Sequence, residues 1–521
     1  MNPSADVIVI GGGHNGLVAA CYLAKAGRKV LVLEASETFG GMVSTNPVIG
    51  AAPNHRINEG GMDNTLLRET NIVHDLSLES FGYGEIEIDP AYAFLQPDGS
   101  SLCIWKDPQK TADEIRRFSQ KDARAYIDFA NDIDLMMNLS VPYMKSHPIR
   151  VNIWEMFLGI LKLLRHPRRA IGLSRFVSAS HAEYIEESFE HPIVRGPLAA
   201  IVPFLPIQQE MTAWMLIQFG FIHRKGVSRI RTGSGGLTDA LGKCLLASGG
   251  SIRTGAKVEQ ILVENQRAAG VKLVGGEELR APVTVAACNI YNTLQQLLPA
   301  GALTDRELAQ ARRIPNAASN ASSYKLDIAL DARASLAKHQ AWRKNDIDLR
   351  KCGLCWATYE QHIKAWDACA RGEIPDPLPV FVLIPSANDP SQAPEGQDTI
   401  WCWSGIATAT PTQPWEEIKA SVTKGVILDI KQYIDNVETA EIGRRVMSPD
   451  DLATRFHVPK GNVYHVDTGM SRFGPFRPAP AFANYTTSVK GLFLSGGSMH
   501  PSAGIAGIPG RIAAQTVLRL S

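Results

Sequence analysis

One glycine-rich segment limits what this chain can become more than any other: Asp6-Val7-Ile8-Val9-Ile10-Gly11-Gly12-Gly13-His14-Asn15-Gly16-Leu17, followed by an alanine-rich run and then Lys29-Val30-Leu31-Val32-Leu33-Glu34. Val7 to Ile10 is a short β-branched apolar run of the kind that forms a buried parallel strand, and Gly11, Gly13 and Gly16 fall on the G-x-G-x-x-G pattern. Gly11 permits the tight turn out of the strand, Gly13 lets backbone approach a pyrophosphate, and Gly16 lets the helix pack closely on the sheet. A pyrophosphate would then sit on the helix N-terminus, where free N–H groups and the macrodipole favour negative charge. Glu34 ends the second strand eighteen residues after Gly16, where an acidic side chain accepts hydrogen bonds from a ribose. The segment therefore predicts an α/β dinucleotide-binding unit.

After Glu34 comes Ala35-Ser36-Glu37-Thr38-Phe39-Gly40-Gly41-Met42-Val43-Ser44-Thr45. This stretch resembles the flavoproteins in which E-x-x-x-x-x-G-G-x-x-x-[ST] follows the glycine fingerprint, a group that includes phytoene desaturases, phytoene dehydrogenase-like oxidoreductases and flavin amine oxidases. The resemblance implies FAD rather than NAD, and a Rossmann-like FAD-binding domain of the glutathione-reductase/amine-oxidase type with a mixed α+β substrate domain and a helical insertion. It also implies cofactor contacts at Gly40, Gly41 and Met42. The usual G-G-R is G-G-M here, so a direct arginine contact to the pyrophosphate from this position is absent.

Composition excludes other classes. With 53 basic and 52 acidic residues the net charge is +1, which gives no global attraction to nucleic acid. The first strand begins by Asp6 or Val7, leaving no room for a secretory signal ahead of it, so cytoplasmic residence is the expectation. The one close cysteine pair, Cys352 and Cys355, lacks the second pair or nearby histidines of a zinc site, and ordinary reduced thiols are expected.

Five segments emerge along the chain. Residues 1–105 read as the first part of the FAD-binding domain, 106–224 as a helical subdomain, 225–290 as the second part of the FAD domain, 291–480 as a substrate domain of sheet and helices, and 481–521 as the third part. Within the first, Gly60 and Gly61 suit a backbone passing a flat ligand, and the resemblance places them near the flavin ring. In the helical segment, Ile153 to Arg169 is apolar but interrupted by Lys162, too short to span a bilayer. From 145 to 175 seven lysines and arginines stand against Glu155 alone. The preferred reading is a buried helix of the insertion with solvated ends; Trp154 and Phe157 beside such cations also suit an interfacial amphipathic helix with peripheral membrane contact, and an oligomer contact is a third reading.

Further on, Lys257-Val258 and the small-residue strand Val283 to Asn289 match the phytoene dehydrogenase-like order, which implies that the Val258 backbone holds the adenine. Trp401 and Trp403 lie two apart and share a strand face, where core packing competes with ligand stacking. Gly491 to Ala514 resembles the closing motif of the same family: a strand ending in glycine, His500-Pro501, then a glycine-marked helix start. That implies Gly496, Gly497, Gly504 and Ile505 at the flavin, with the helix N-terminus near Gly504 to Ile505.

The resemblance places His500 at the flavin, as a proton acceptor or as a brace for the ring. His465, Arg477 and Trp403 are further candidates for the substrate cavity. No metal ligands are evident and FAD is expected to be dissociable. The resulting expectation is an FAD-dependent oxidoreductase that oxidises a C–C or C–N bond of an apolar or amphipathic small molecule. Alternatives are a flavin amine or amino-acid oxidase, a non-redox flavin isomerase, and a non-enzymatic binding protein on the scaffold of Rab GDP-dissociation inhibitors.

Overall fold

The computed structural model describes residues 5–165, 167–201, 204–502 and 504–521. Its organising layer is a five-stranded, all-parallel sheet in the order Ser251–Arg253, Val30–Leu33, Val7–Ile10, Val283–Ala286, Leu492–Leu494. The central strand, Val7–Ile10, is buried along its whole length, as expected of a parallel strand covered on both faces. Helix His14–Lys25 packs against Gly235–Ala247 and Ile508–Leu520. Its contact with the last of these is close because Gly510 has no side chain: a Cβ there would lie 2.1 Å from the carbonyl oxygen of Asn15. An antiparallel three-stranded sheet, Val258–Glu264, Arg267–Leu273 and Glu278–Arg280, joins the layer from one side.

A second large sheet has seven strands in the order Glu441–Met447, Ala321–Leu330, Asp398–Thr408, Phe381–Leu383, Gly353–Cys355, Tyr92–Leu95, Ser101–Ile104. Here the structure corrects the segment read as 1–105. The hairpin Tyr92–Leu95/Ser101–Ile104 belongs to this sheet, because Tyr92, Ala93 and Phe94 pair in parallel with Gly353, Leu354 and Cys355. That pairing spans more than half of the chain and no local pattern announces it.

Between the hairpin and the return to the first sheet lie helices Pro108–Arg116, Gln120–Lys145, Ile153–Leu164, Pro167–Ser178, His181–Ser188, Pro192–Ala200 and Ile217–Lys225. Side chains cap several of them: Asp107, Ser119, Asn152 and Ser180 each accept a hydrogen bond from a first-turn N–H. Helix Ile153–Leu164 is not the buried helix allowed by the sequence. Only Gly159 is buried, packed on Asn138 and Leu139, while Ile153 is 78% exposed, Trp154 67% and Leu164 66%. His166 and the side chain of Arg168, both in the segment singled out above, lie outside the described residues. Among the described residues no helix is long and apolar enough to cross a membrane. All eight cysteines are free thiols, and no group of side chains suited to hold a metal occurs among the described residues.

Candidate functional site

The carboxyl ends of the parallel strands converge. Gly11 follows Ile10, Glu34 follows Leu33, Ala287 follows Ala286, and Ser495-Gly496-Gly497 follows Leu494. In open α/β sheets this edge is where ligands bind. A cavity of about 580 Å³ opens there and runs to the face of the seven-stranded sheet.

At its glycine end, Gly11 turns with φ +103° and Gly16 lies so close that a Cβ would sit 2.1 Å from the Gly11 carbonyl oxygen. Gly13 differs: a Cβ there would meet no protein atom within 4 Å and would project into the cavity it lines. Gly13 caps helix His14–Lys25 without a side-chain acceptor, so the first-turn N–H groups are left for a ligand. The Glu34 carboxylate is held by two backbone donors, Gly12 N–H at 2.8 Å and Ser36 N–H at 2.9 Å. A carboxylate offers about four acceptor positions, so roughly two stay open to the cavity.

Gly40 (φ +115°) donates its N–H to the Gly12 carbonyl at 2.9 Å, which holds the Gly40-Gly41-Met42 loop against the fingerprint. Gly61 N–H donates to the Met42 carbonyl at 2.9 Å, and Gly60 is tight enough there that a Cβ would lie 2.5 Å from the same oxygen. Val258, Gly496, Gly497, Gly504 and Ile505 complete this end. Of the cofactor residues expected from the sequence, Gly16 alone does not line the cavity; its place is the strand–helix contact. One expectation needs correction. The closing helix spans Ile508–Leu520 rather than starting at Gly504 to Ile505, since Gly507 takes φ +69° at its N-cap and Pro509 occupies its first turn. Gly504 and Ile505 reach the cavity as loop backbone.

The other end is an aromatic chamber. Phe204, Trp214, Phe381, Trp401, Trp403 and Tyr464 line it, with Met144 and Ile217. Trp401 and Trp403 therefore face the cavity as well as the core, with ring centroids 6.4 Å apart. His465 also lines it, in a left-handed backbone conformation (φ +64°), 3.3 Å from the Asn289 amide nitrogen. Gly497 makes room for that ring; a Cβ would come within 2.6 Å of it.

Two candidates are placed elsewhere. His500 is fully buried outside the cavity lining, with Nε2 3.2 Å from the Tyr143 carbonyl oxygen and its ring against Tyr143 and Phe473. It braces the wall between helix Gln120–Lys145 and the closing motif, and a catalytic role is set aside. Arg477, also fully buried, donates to the carbonyls of Met499, Val466, Asp467, Tyr464 and Gly497. It ties the two loops that carry His465 and Gly497 and is not a substrate contact.

Burial pushes His500 down to about 4, and does the same to His181 (about 4) and His362 (about 3). These folded values lie below the ordinary 6.5, so the unfolded chain takes up protons first. Their contribution is complete above about pH 6.5 and is lost as pH falls toward 4, at about 1.4 kcal/mol per pH unit for each histidine. Thermal melting is expected to shift down steeply between about pH 6.5 and about pH 4.5; a pH-independent midpoint across that window would contradict it.

Lys325 and Asp327 were missed in the sequence. They sit on the same face of strand Ala321–Leu330, with side chains 2% and 1% exposed, and Lys325 Nζ bonds the Asp327 carboxylate. Opposite them in register are Trp403 and Trp401, and Nζ lies 5.4 Å from the Trp401 ring centre. Lys325 lines the cavity. Burial pushes the lysine down and the aspartic acid up, each away from its ordinary value, while their mutual attraction opposes both shifts. A lysine and an aspartate two apart inside the apolar run Tyr324 to Leu330 was the available signal.

A glycine cradle for a dinucleotide is continuous with an apolar chamber, the layout of a flavin-dependent oxidoreductase. Comparison with known proteins agrees. Residues 162–502 match the family described as flavin containing amine oxidoreductase, and residues 9–64 match the NAD(P)-binding Rossmann-like domain. The chain belongs to the flavin containing amine oxidoreductase family. It is 27% identical to a pyridine nucleotide-disulfide oxidoreductase domain-containing protein 2 of Rattus norvegicus, over 100% of this chain and 94% of the relative. It is 25% identical to a neurosporene-forming phytoene desaturase of Rhodobacter capsulatus, over 96% and 91%. Among solved structures, an oxidoreductase from Methanosarcina mazei superposes with a TM-score of 0.64 at 16% identity, covering 98% of this chain and 99% of the other. The chain is thus an FAD-dependent enzyme, and the binding-protein alternative falls away. The cradle suits FAD: open space at Gly13 and Gly504, an uncapped helix N-terminus, and a pre-oriented Glu34 carboxylate.

Proposed function

We propose that this enzyme dehydrogenates an apolar or amphipathic small molecule at a C–C or C–N bond. The observation that supports this most directly is the aromatic chamber joined to the glycine cradle in one cavity. FAD, when bound, supplies a hydride acceptor. Gly11, Gly13, Gly40, Gly41 and Gly504 let backbone approach it, and the Glu34 carboxylate accepts from its ribose hydroxyls. Met42, Gly60, Gly61, Val258, Gly496, Gly497 and Ile505 shape the remainder of its bed. Phe204, Trp214, Phe381, Trp401, Trp403 and Tyr464 hold the substrate and exclude water, and Lys325 Nζ holds or moves a proton beside the reacting bond.

The test is the visible spectrum of the purified protein followed by anaerobic bleaching with apolar, carotenoid-like and amine compounds. Bleaching by an apolar or carotenoid-like member is the expected result. Bleaching by amines alone, with hydrogen peroxide formed in air, would replace this reading by an amine oxidase.

The apolar face of helix Ile153–Leu164 supports a membrane-surface role in substrate delivery. Ile153, Trp154, Phe157, Leu158, Leu161 and Leu164 are exposed, and Arg150, Lys162 and Arg165 make no ion pair with a described residue. An apolar face flanked by cations that lack an anionic partner among the described residues matches an anionic lipid surface. The full-length protein is expected to sediment with anionic but not zwitterionic vesicles, and Trp154→Ser with Phe157→Ser to abolish it. Failure of the parent to sediment would end this assignment.

A further inference from the structure

We propose that Arg455 binds the FAD pyrophosphate from the substrate-domain side, supplying the cation that position 42 lacks. The proposal rests on the reading that the glycine end of the cavity holds FAD. Arg455 comes from helix Pro449–Phe456 and lines the cavity together with Met42, Glu59 and Gly60. The buried Glu59 carboxylate grips it, accepting from Arg455 Nε at 3.0 Å and Nη2 at 2.7 Å. The same carboxylate accepts from Arg445 Nη1 at 2.9 Å, the Asn46 amide at 2.8 Å and the Ser44 hydroxyl at 3.2 Å.

Position follows from the chain. Glu59 directly precedes Gly60 and Gly61, the pair in backbone contact with Met42. The guanidinium is thereby anchored next to the loop that carries Met42. Charge follows too. Although burial pushes the Glu59 carboxyl up, hydrogen bonds from Arg455, Asn46 and Arg445 bring it down to about 2, so it stays ionised. Two guanidiniums against one carboxylate leave one net positive charge beside a cavity walled largely by apolar groups. Such a charge calls for an anionic ligand. With Nε and Nη2 turned to Glu59, Arg455 Nη1 makes no hydrogen bond to a described residue, and a guanidinium clamped on one edge is pre-organised to donate to a phosphate oxygen.

The experiment is FAD titration of the full-length chain after removal of flavin, read by loss of free-flavin fluorescence at low and high salt, without substrate. Arg455→Met is expected to weaken FAD binding roughly tenfold and to flatten its salt dependence. Met42→Arg added to that variant is expected to restore affinity, while Met42→Arg alone shifts it by less than about threefold, because the cation is already provided. Affinity within about twofold of the parent in Arg455→Met would overturn the proposal, as would a loss that Met42→Arg leaves unrestored, the mark of a purely structural ion pair. Roughly tenfold tightening by Met42→Arg alone would overturn it as well, and that arm does not require Arg455→Met to fold. A parent that takes up no FAD would instead remove the cofactor reading beneath the proposal.

Discussion

Gly13→Val is expected to give a folded but colourless protein, and Gly16→Val little folded protein at all. The two glycines belong to one motif and lie three residues apart, yet they answer to different constraints. Gly13 has an extended backbone (φ −69°, ψ 164°) that any residue adopts, and a Cβ there touches nothing in the protein. The side chain of valine would fill the space where the backbone must approach a pyrophosphate, so the apo fold survives and flavin is excluded. At Gly16 a Cβ would sit 2.1 Å from the Gly11 carbonyl oxygen and 3.1 Å from the Ala287 side chain, between the central strand and its helix. Overpacking there costs roughly 3 kcal/mol or more, with no flexible neighbour to yield. Melting temperature and bound-flavin absorbance, measured on both variants, separate the two effects. Full flavin occupancy in Gly13→Val would remove the pyrophosphate from that place.

Lys325→Met carries the second large effect, on stability and on rate together. The ammonium and the Asp327 carboxylate are buried as a pair, and Asp327 Oδ2 makes no hydrogen bond to a described residue. Removing the lysine strands a carboxyl group in an apolar wall, at about 3–5 kcal/mol. Loss of the proton carrier proposed at Lys325 is expected to slow substrate-driven flavin reduction by about 10²–10⁴-fold. The double change Lys325→Met with Asp327→Leu separates the two roles: stability should largely return, while the rate should not. Parental turnover in the stable double variant would exclude Lys325 from the chemistry and leave it a structural ion pair.

How far the sequence could be read follows from which constraints are local. The glycines were legible because positive φ and close backbone approach act within a few residues, so their spacing is written directly into the chain. Lys325 was not, since nothing next to it says that strand Ala321–Leu330 is covered on both faces; its burial is made by Trp401 and Trp403 on a strand paired from more than seventy positions away. His500 shows the opposite failure. Its motif marks the right loop, but whether the ring points to the cavity or to the Tyr143 carbonyl depends on helix Gln120–Lys145, far away in sequence. Arg477 was likewise located without its role, because its carbonyl partners come from two loops that only the fold brings together. The hairpin at Tyr92–Leu95 was assigned to the wrong layer for the same reason.

The order of strands in the parallel sheet has a consequence for how such a protein is born. Val7–Ile10 is made long before its neighbour on one side, Val283–Ala286, and the strand beyond it, Leu492–Leu494. The ends of these strands line one cavity together with Gly496 and Gly504, so the proposed flavin bed is complete only once those glycines have been made. On that reading, the stabilisation a bound ligand gives is open only to chains that have closed the sheet, which makes flavin uptake a late event in folding.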